Sequence, residues 1–430
     1  MLKPGEVIPL TIEKPAVGGA MIARHDGRVV LVGGAIPGER VMGRVRRVAK
    51  GMAYAETLTI DEPSPDRRVR SGDPLCGGCL YSHIAYPRQL AIKSLVIADA
   101  FTRIGRLELP GPVSVAGSPE EGYRMRARLH VRGSRCGFFR EATHDLCDVR
   151  LTGQLLPATM DALERLMAAI RSIGADSVRE IELSENVDAS ERVVHLETSD
   201  PIDPRLMAKL TSVEGLTPGP YVTDTITIGD ATLRLRRHVL AFFQGNRYLL
   251  HDLVTHVTDR VPIGAPLLDL YAGVGLFSVA AAVRRGAITF AVEGDKAAFE
   301  DLFANASAAG AHLTAIRAAV ESLGASLAKQ KPAWPTLRQA AIAAGGPALE
   351  VVIVDPPRTG MSPEALAGLL VMRPPRLIYV SCDVATLARD ARRIVDAGYA
   401  IERADAFDLF PNTPHVETVV VFGKDGKLRI

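Results

Sequence analysis

The sequence predicts a multidomain α/β protein with a small N-terminal β-barrel, a central mixed α+β domain and a C-terminal Rossmann-like sheet. Short β-rich runs separated by glycine and proline turns fill residues 1–60. A mixed pattern of strands and one long helix follows, between about 108 and 240. From about residue 262, strands alternate with helices, which is typical of a parallel sheet covered on both faces.

The domain boundaries follow from the same pattern. The N-terminal runs, among them VIPLTIEK and GRVVLVGG, are spaced as in a small barrel and place the first domain at 1–62. The segment PSPDRRVRSGDP is typical of a linker and leads to a central domain at 72–240. Within it, residues 88–106 have helical periodicity, and this helix is expected to pack on the C-terminal domain, which we place at 241–430.

The charge is nearly balanced over the chain, with 51 Lys and Arg against 49 Asp and Glu, but it is uneven locally. Residues 1–60 contain nine basic and five acidic side chains, and 123–140 contain six arginines and no acid. Both segments suit contact with a polyanion such as RNA, although a solvated basic face would give the same pattern. In the RNA interpretation, Arg124, Arg126 and Arg128 hold phosphates of the nucleic acid.

The compartment predicted from the sequence is the cytoplasm. The N-terminal MLKPGEVIPL lacks the pattern of a secretory signal, and no apolar run reaches the roughly 20 residues of a membrane helix. The five cysteines are therefore expected to be mostly reduced, and to act as ligands, as a nucleophile or as packing residues rather than to form disulfides. We expect no membrane association and no obligate protein partner.

In an open α/β sheet, ligands bind beyond the carboxyl ends of the strands, so the residues there are the first candidates for a site. The stretch DLYAGVGLFSV has a strand, a turn with Gly273 and Gly275, and the start of a helix. Glu293 ends the next strand about 20 residues on, where an acid can accept hydrogen bonds from ribose hydroxyls. The pattern indicates a nucleoside-containing ligand, and leaves open a dinucleotide or S-adenosylmethionine.

The strand VVIVD ends in Asp355, and the Pro-Pro turn that follows it is stiff. In methyltransferases that modify exocyclic amines, an aromatic residue comes after such a turn, whereas Arg358 stands there in this chain. Methylation of an amine is therefore disfavoured. Cys382 ends the following strand and is expected to face the same pocket, a position that suits a nucleophile better than a core residue.

A cysteine beside a methyl donor suits methylation at C5 of a pyrimidine. C5 becomes nucleophilic once a thiolate adds to C6, and a base must then remove the C5 proton so that the thiolate can leave. His415 and Glu417 are expected to open the last strand on one face. We select Glu417 as the base, because a carboxylate needs only a modest rise in pKa to act near neutral pH.

Several motifs together resemble the RNA uracil-5-methyltransferase family: FFQGNRYLL, DLYAGVGLFS, AVEGD, VDPPRTG, VSCDVATLARD and FPNTPHVE. Residues 1–60 resemble the TRAM RNA-binding barrel of many members, above all in GRVVLVGGAIPGERV, so that the resemblance covers nearly the whole chain. It implies a cofactor, S-adenosylmethionine, with Cys382 as the nucleophile and Glu417 as the proton acceptor. Residues matching the family's cofactor contacts are Gln244, Tyr271, Glu293 and Asp355.

The same resemblance places Gln244 and Asp355 near enough to the uracil to help hold it, whereas Phe243 is expected to pack rather than to stack on the base.

One departure concerns the [4Fe-4S] cluster that many relatives bind. The Cys-Gly-Gly-Cys pair is present as Cys76 and Cys79, but Arg70 stands where the family has a further cysteine. Thr152 aligns with the last ligand, and Cys136 and Cys147 do not sit at the family spacing. The residues therefore favour a lost cluster, with thiols that now pack, over an intact one.

Two other functions remain open at this stage. RNA 5-methylcytosine enzymes have a second cysteine directly after a proline in the fourth-strand motif, where this chain has Pro357, so uracil is favoured. A non-catalytic RNA-binding protein with a degenerate methyltransferase domain is the alternative from another class. The resemblance favours 23S rRNA as the substrate and leaves transfer RNA as the second choice.

Overall fold

The N-terminal residues form a closed five-stranded barrel. Our computed structural model describes residues 2–69, 73, 75–141, 143–202, 204–322 and 349–424. The barrel strands are β1 Val7–Pro15, β2 Met21–His25, β3 Arg28–Gly33, β4 Arg40–Ala49 and β5 Met52–Glu62, in the order β1-β2-β3-β5-β4. Alternate residues of β1 are buried, namely Ile8, Leu10 and Ile12. The period of two in burial therefore gives the barrel its core, as the sequence predicted.

The middle of the chain combines a helix, a five-stranded sheet and a hairpin. Helix α1 spans Tyr86–Ala100 and ends in a π-helical turn at Phe101–Gly105, before the short strand β6 Ser114–Ala116. The sheet contains β7 Arg126–Arg132, β8 Arg135–Phe139, β9 Leu146–Asp148, β10 Val178–Glu185 and β11 Arg192–Thr198. Helices α2 Pro157–Ile173 and α3 Pro204–Leu210 accompany it, with a 3₁₀ turn at Arg150–Thr152, and β12 Tyr221–Ile228 pairs with β13 Ala231–His238.

The C-terminal part is an eight-stranded sheet with flanking helices. Its elements are α4 Leu250–Thr258, β14 Pro266–Leu270, α5 Leu276–Arg285, β15 Ile288–Glu293, α6 Lys296–Ala308, β16 Leu313–Arg317, β17 Val351–Val354, α7 Pro363–Met372, β18 Arg376–Ser381, α8 Val384–Asp396, β19 Tyr399–Phe407 and β20 Glu417–Lys424. The strand order is β16-β15-β14-β17-β18-β20-β19-β6. The predicted fold class, with barrel, mixed region and Rossmann-like sheet, is confirmed.

The prediction of a parallel sheet is wrong for the last strand. Strand β20 runs antiparallel to both β18 and β19, because the short connection 408–416 forms a hairpin and carries no crossover helix. The pairing of Ser381 with Thr418 brings the start of β20 to the edge where the parallel strands end. This antiparallel strand therefore carries Glu417 to the site edge of the sheet.

Two elements from before the catalytic sequence join its sheet or core. Strand β6 adds to β19 as the edge strand, and Ile92, Val96 and Ile97 of α1 share a core with Leu387 of α8. Among the described helices, none is long and apolar enough to cross a lipid bilayer.

Candidate active site

The turn after β14 forms one wall of a cleft at the carboxyl edge of the sheet. Gly273 has φ +56°, and a Cβ atom added there would meet no described atom within 4 Å, so this backbone faces open space. Gly275 has φ +94°, and a Cβ atom there would lie 2.8 Å from Leu302 Cδ1. Both the left-handed backbone and the close packing therefore require glycine at position 275.

Glu293, at the end of β15, lies against this turn. Its carboxylate accepts hydrogen bonds from the backbone N–H of Gly273 at 2.8 Å and of Asp295 at 2.7 Å. Burial raises the pKa of Glu293, while these backbone donors oppose the rise. The two sequence-predicted residues are thus brought together, in an arrangement that leaves the carboxylate partly exposed to the cleft.

Tyr271 adopts φ +64°, a left-handed backbone that is uncommon for an aromatic residue. Its hydroxyl donates to Glu321 Oε1 at 3.1 Å, so the tyrosine side chain extends from the turn after β14 to the segment that follows β16. The strained backbone at the strand end is consistent with a ligand-binding turn.

The fully buried Asp269 was missed by the sequence reasoning. Neither of its carboxyl oxygens has a hydrogen-bond partner within the described part of the chain. Burial raises the pKa of Asp269 to about 8, and the carboxyl groups of Asp355 and Glu293 contribute to the rise. Ser278, whose hydroxyl and backbone N–H act on Asp269, opposes this rise. A cationic ligand group beside these three carboxyl groups would compensate their charge, which fits the charge of S-adenosylmethionine.

Asp355 directly follows β17 and contacts Gln244. The Gln244 side-chain amide donates to Asp355 Oδ2 at 3.2 Å. Burial raises the pKa of Asp355 to about 7, and the hydrogen bond from Gln244 opposes this shift. The FFQGN and VDPP motifs, more than a hundred residues apart in the chain, therefore meet at one point of the cleft.

Cys382 lies in the turn between β18 and α8. Asp383 caps the helix by accepting from the backbone N–H of Thr386 at 2.8 Å, so the chain changes direction at the cysteine. Burial raises the pKa of the Cys382 thiol to about 12, and the carboxyl groups of Glu417 and Asp355 add to the rise. Arg358 opposes it. The thiol, just after β18, therefore lies among charged groups from the turn after β17 and from the start of β20.

Glu417 is the first residue of β20 and is buried. Burial raises its pKa well above the ordinary value, Asp355 raises it further, and the Arg358 cation opposes both. A carboxyl group with a raised pKa is a better proton acceptor when ionised. His415 does not open the strand as predicted: it lies in the preceding connection, with its ring edge-on to Phe410 at 6.1 Å.

Two further residues near the site escaped the sequence reasoning about function. Arg358, used there only to disfavour amine chemistry, acts on the pKa of Cys382, Glu417 and His415 together. Phe242 is 61 % exposed, whereas its neighbour Phe243 is 3 % exposed. Phe243 packs under the guanidinium of Arg237 at 4.6 Å, as expected for a packing residue. The two adjacent phenylalanines indicated that one ring packs and the other is exposed, but the sequence could not say which ring faces solvent.

The arginines proposed to hold RNA are engaged within the protein. Arg124 donates to Gln154 Oε1 at 2.9 Å and to the carbonyl of Arg126 at 2.7 Å. Arg128 is exposed and forms ion pairs with Glu182 and Glu180. The two acids lie on β10, which pairs with β7, and they partly neutralise the charge of Arg128. The Arg124 guanidinium is occupied by uncharged acceptors.

The expectation that the cysteines do not form disulfides is wrong for one pair. Cys76 and Cys147 are bonded, with a Cα–Cα distance of 5.7 Å. Cys76 forms a β-bridge with Arg140, just past β8, and Cys147 of β9 pairs with Phe138 of β8. Strand pairing therefore brings together two cysteines that are 71 residues apart in the chain. The sequence alignment had placed Thr152, not Cys147, at the last ligand position, and so did not predict that Cys147 lies beside Cys76.

These residues do not fit an iron–sulfur cluster. Two sulfurs are consumed by the disulfide, and the Cys79 thiol donates to the carbonyl of Asp73 at 3.2 Å. Within the described ranges, no group of three or more His, Cys, Asp or Glu side chains is placed to hold a metal ion. Cys136 lies apart from this loop, and Arg70 lies outside the described residues.

An α/β sheet with a glycine turn, a ribose-type acid and a strand-end cysteine defines the class of protein: a methyltransferase joined to a small barrel. The comparisons with known proteins agree. A family model described as tRNA (uracil-5-)-methyltransferase matches residues 200–425, and a TRAM domain model matches 2–58.

Relatives along the whole chain include a 23S rRNA (uracil(1939)-C(5))-methyltransferase RlmD of Halomonas elongata. It is 33 % identical over 96 % of this chain and 88 % of its own length. The same enzyme of Acidithiobacillus ferrooxidans is 31 % identical over 96 % of both chains. The crystal structure of Pyrococcus abyssi tRNA (uracil-54, C5)-methyltransferase in complex with S-adenosyl-L-homocysteine matches with a TM-score of 0.71, at 24 % identity over 96 % of this chain and 99 % of that one.

The chain belongs to the RNA (uracil-5-)-methyltransferase family and carries an N-terminal TRAM domain. It is an S-adenosylmethionine-dependent RNA methyltransferase, which confirms the predicted enzyme class, cofactor and RNA substrate.

Proposed function

We propose that this protein methylates C5 of a uridine in 23S rRNA, with Cys382 as the nucleophile and Glu417 as the base. The observation that carries the proposal is the convergence of Cys382, Asp355 and Glu417 from strand ends of one sheet, beside Arg358. A thiol among carboxyl groups is disfavoured as a thiolate until a substrate or a cation compensates for their charge. Arg358 supplies that cation.

The proposed reaction begins when the Cys382 thiolate attacks C6 of the uracil, which breaks the C5–C6 π bond and forms an enolate. The bound cofactor supplies an electrophilic methyl group to C5. Glu417, as a carboxylate, then accepts the C5 proton, the C5–C6 double bond reforms, and the C6–S bond breaks to release the thiolate. The methyl group gained at C5 thus replaces the proton that Glu417 takes, and the methyl donor would leave as S-adenosylhomocysteine.

Cofactor binding is proposed for the cleft opposite the cysteine. Glu293 accepts hydrogen bonds from the ribose hydroxyls, and the backbone of Gly273 and Gly275 lets the cofactor approach closely. Tyr271 closes one side of the cleft. The Asp355 carboxyl group acts on the pKa of both Asp269, before the glycine turn, and Cys382, and Gln244 donates to it at 3.2 Å. We therefore assign Asp355 and Gln244 contacts with both the cofactor and the uracil.

A surface for RNA phosphates is proposed at one end of the barrel. The strand registers place the β2–β3 and β4–β5 turns at the same end, and Arg28, Arg47 and Lys50 lie there. No ion pair is found for these three side chains among the described residues, and the Arg47 guanidinium stacks over the Tyr54 ring at 4.1 Å. Unpaired cations beside an aromatic ring suit phosphates and an unstacked base.

The choice of 23S rRNA is supported by the names of the whole-chain relatives. The fold relative acts on transfer RNA, which is therefore the second candidate. We place the reaction in the cytoplasm, since its substrate is ribosomal RNA.

The test is mass spectrometry of nucleosides from separated ribosomal and transfer RNA of cells with and without the gene. Loss of 5-methyluridine from the 23S fraction, restored by the wild-type gene and not by a Cys382→Ala gene, is expected. Loss from transfer RNA alone would replace the substrate. Unchanged 5-methyluridine in both fractions would contradict the proposal and leave an RNA-binding role.

A further inference from the structure

The turn between β1 and β2 of the barrel lies against the connection that leads to Glu417. Gly19 has φ +99°, and a Cβ atom built on it would lie 2.9 Å from Pro414 Cγ and 3.0 Å from Pro414 Cβ. Its neighbour Gly18 has φ +89°, and a Cβ atom there would meet no described atom within 4 Å. The two adjacent glycines thus have similar left-handed backbones, and Gly19 differs from Gly18 by its contact with Pro414.

Other elements hold the rest of the 408–416 connection. The Lys93 ammonium on α1 forms a buried ion pair with Asp408 at 2.5 Å and donates to the carbonyl of Phe410 at 3.2 Å. Gln89, one turn earlier, donates to Asn412 Oδ1 at 3.0 Å and accepts from the Asn412 N–H at 2.9 Å. These bonds fix residues 408–412. The two residues that flank Pro414 are tied to the same connection, because Thr413 Oγ1 donates to the carbonyl of Phe410 at 2.7 Å and the His415 N–H donates to Thr413 Oγ1 at 3.3 Å. Pro414 itself has no N–H to donate, so its packing against Gly19 supplies support from outside the connection.

The barrel is well placed to supply that support. Lys14, at the end of β1, forms an ion pair with Asp99 of α1 at 2.6 Å. Glu39, buried in the barrel, pairs with Arg67 of the linker at 2.6 Å. These two ion pairs hold the barrel in place, so the β1–β2 turn is positioned rigidly against Pro414.

We propose that Gly19 is a positioning residue: through its contact with Pro414, the barrel sets the place of the catalytic base Glu417. The inference rests on the proposed function. It makes the TRAM barrel a support for the connection that carries the base, in addition to its proposed role in RNA binding.

The inference predicts which chemical step suffers when the contact is disturbed. Pro414 precedes Glu417 by three residues, so a displaced Pro414 moves the base and slows removal of the C5 proton. Cys382 lies in the turn between β18 and α8, outside the 408–416 connection, and its pKa falls when the Glu417 carboxyl moves away. Addition of the thiolate to C6 should therefore be preserved.

The experiment compares Gly19→Ala with Gly18→Ala on a 23S rRNA transcript made with uridine or with 5-fluorouridine. The fluorinated base has no C5 proton to remove, so the methylated covalent adduct accumulates and reports addition and methyl transfer alone. We expect Gly19→Ala to lower kcat on uridine RNA by roughly ten- to a hundredfold. Its adduct yield and its Kd for the RNA should stay within about twofold of Gly18→Ala.

A second variant guards against a folding defect. In Gly19→Ala with Pro414→Ala, the proline Cγ atom that lies nearest to the new methyl group is absent, so part of the lost kcat should return. Equal kcat in Gly18→Ala and Gly19→Ala would overturn the inference, as would a parallel loss of adduct or no rescue in the double variant. A wild-type enzyme that neither turns over nor forms adduct would overturn the proposed function itself.

Discussion

Two cysteine sites of this protein have opposite characters. Cys382 lies at a strand end among charged groups: Asp355 and Arg358 come from the turn after β17, and Glu417 opens β20. Cys76, Cys79 and Cys147 are buried together against Phe138, and two of them are bonded to each other. The difference shows that a cysteine's role follows from what the fold brings beside it: charged groups make a reaction centre, whereas sulfur and apolar atoms make a structural link.

The largest effect is expected for Cys382→Ala. Without the thiolate, C5 of uracil is too weak a nucleophile, so methylation should fall by at least about a thousandfold. Transfer of tritiated methyl from S-adenosylmethionine to RNA measures it. Cys136→Ala, which removes a thiol in β8, is the matched control and should keep activity within about twofold. Equal activity of both variants would erase the distinction between the two kinds of cysteine.

Next comes Glu417→Gln, which removes the base and leaves the nucleophile. Turnover should fall by about 10²- to 10⁴-fold, because an amide cannot accept the C5 proton. The covalent RNA adduct should persist and migrate as a shifted band on a denaturing gel. Glu402→Gln, an exposed carboxylate on β19, is the control and should release its product normally. A Glu417→Gln enzyme with normal turnover would assign the proton to another group.

A smaller effect is expected from Arg358→Ala, seen in the pH dependence. The pKa values of Cys382 and Glu417 are raised, and both groups act deprotonated, so kcat/KM should rise as pH increases from neutral. Arg358 lowers both pKa values, so its removal should move this rise to higher pH and reduce the rate at pH 7 by about tenfold. The measurement is kcat/KM from about pH 6 to 10.

Arg358→Lys, which keeps the positive charge, serves as the control for that profile. An unchanged profile in Arg358→Ala would remove the arginine from the reaction centre and leave the thiol with no cation to stabilise it.

The smallest effect on activity, and the clearest effect on stability, should come from Cys147→Ala. Loss of the Cys76–Cys147 bond should lower the free energy of unfolding by about 2–4 kcal/mol while methylation stays within about twofold. Urea unfolding with and without dithiothreitol measures it: the reductant should destabilise the wild type and leave Cys147→Ala unchanged. A Cys147→Ala enzyme of normal stability and lost activity would mean that this loop serves the chemistry.

Much of the fold was predictable, because the patterns involved are local. The apolar run before Asp355 was predicted to be a strand and forms β17 Val351–Val354, since a buried parallel strand is a continuous apolar run between turn residues. The barrel strands were predicted from short β-rich runs separated by glycine and proline turns, and the structure buries alternate residues of the first of them. The motifs at the strand ends likewise pointed to one edge of a sheet, as the switch-point rule requires.

The remaining features depend on residues far apart in the chain. No local pattern could show that Cys147 meets Cys76, since the meeting depends on how β9 pairs with β8. The sequence marked Arg124 as a basic residue free to bind RNA, yet its guanidinium donates to Gln154 and to the carbonyl of Arg126. The contact of Gly19 with Pro414 spans nearly the whole chain.

The amino-acid order thus specified the strands, the barrel and the chemical types at the strand ends, because side-chain period and turn residues act within a few positions. The choice of neighbours came from the packed fold. The antiparallel hairpin placed Glu417 beside Cys382, and burial raised the pKa of both. Desolvation and electrostatic coupling act over ångströms in space and have no fixed separation along the chain, so they arise only when the sheet has assembled.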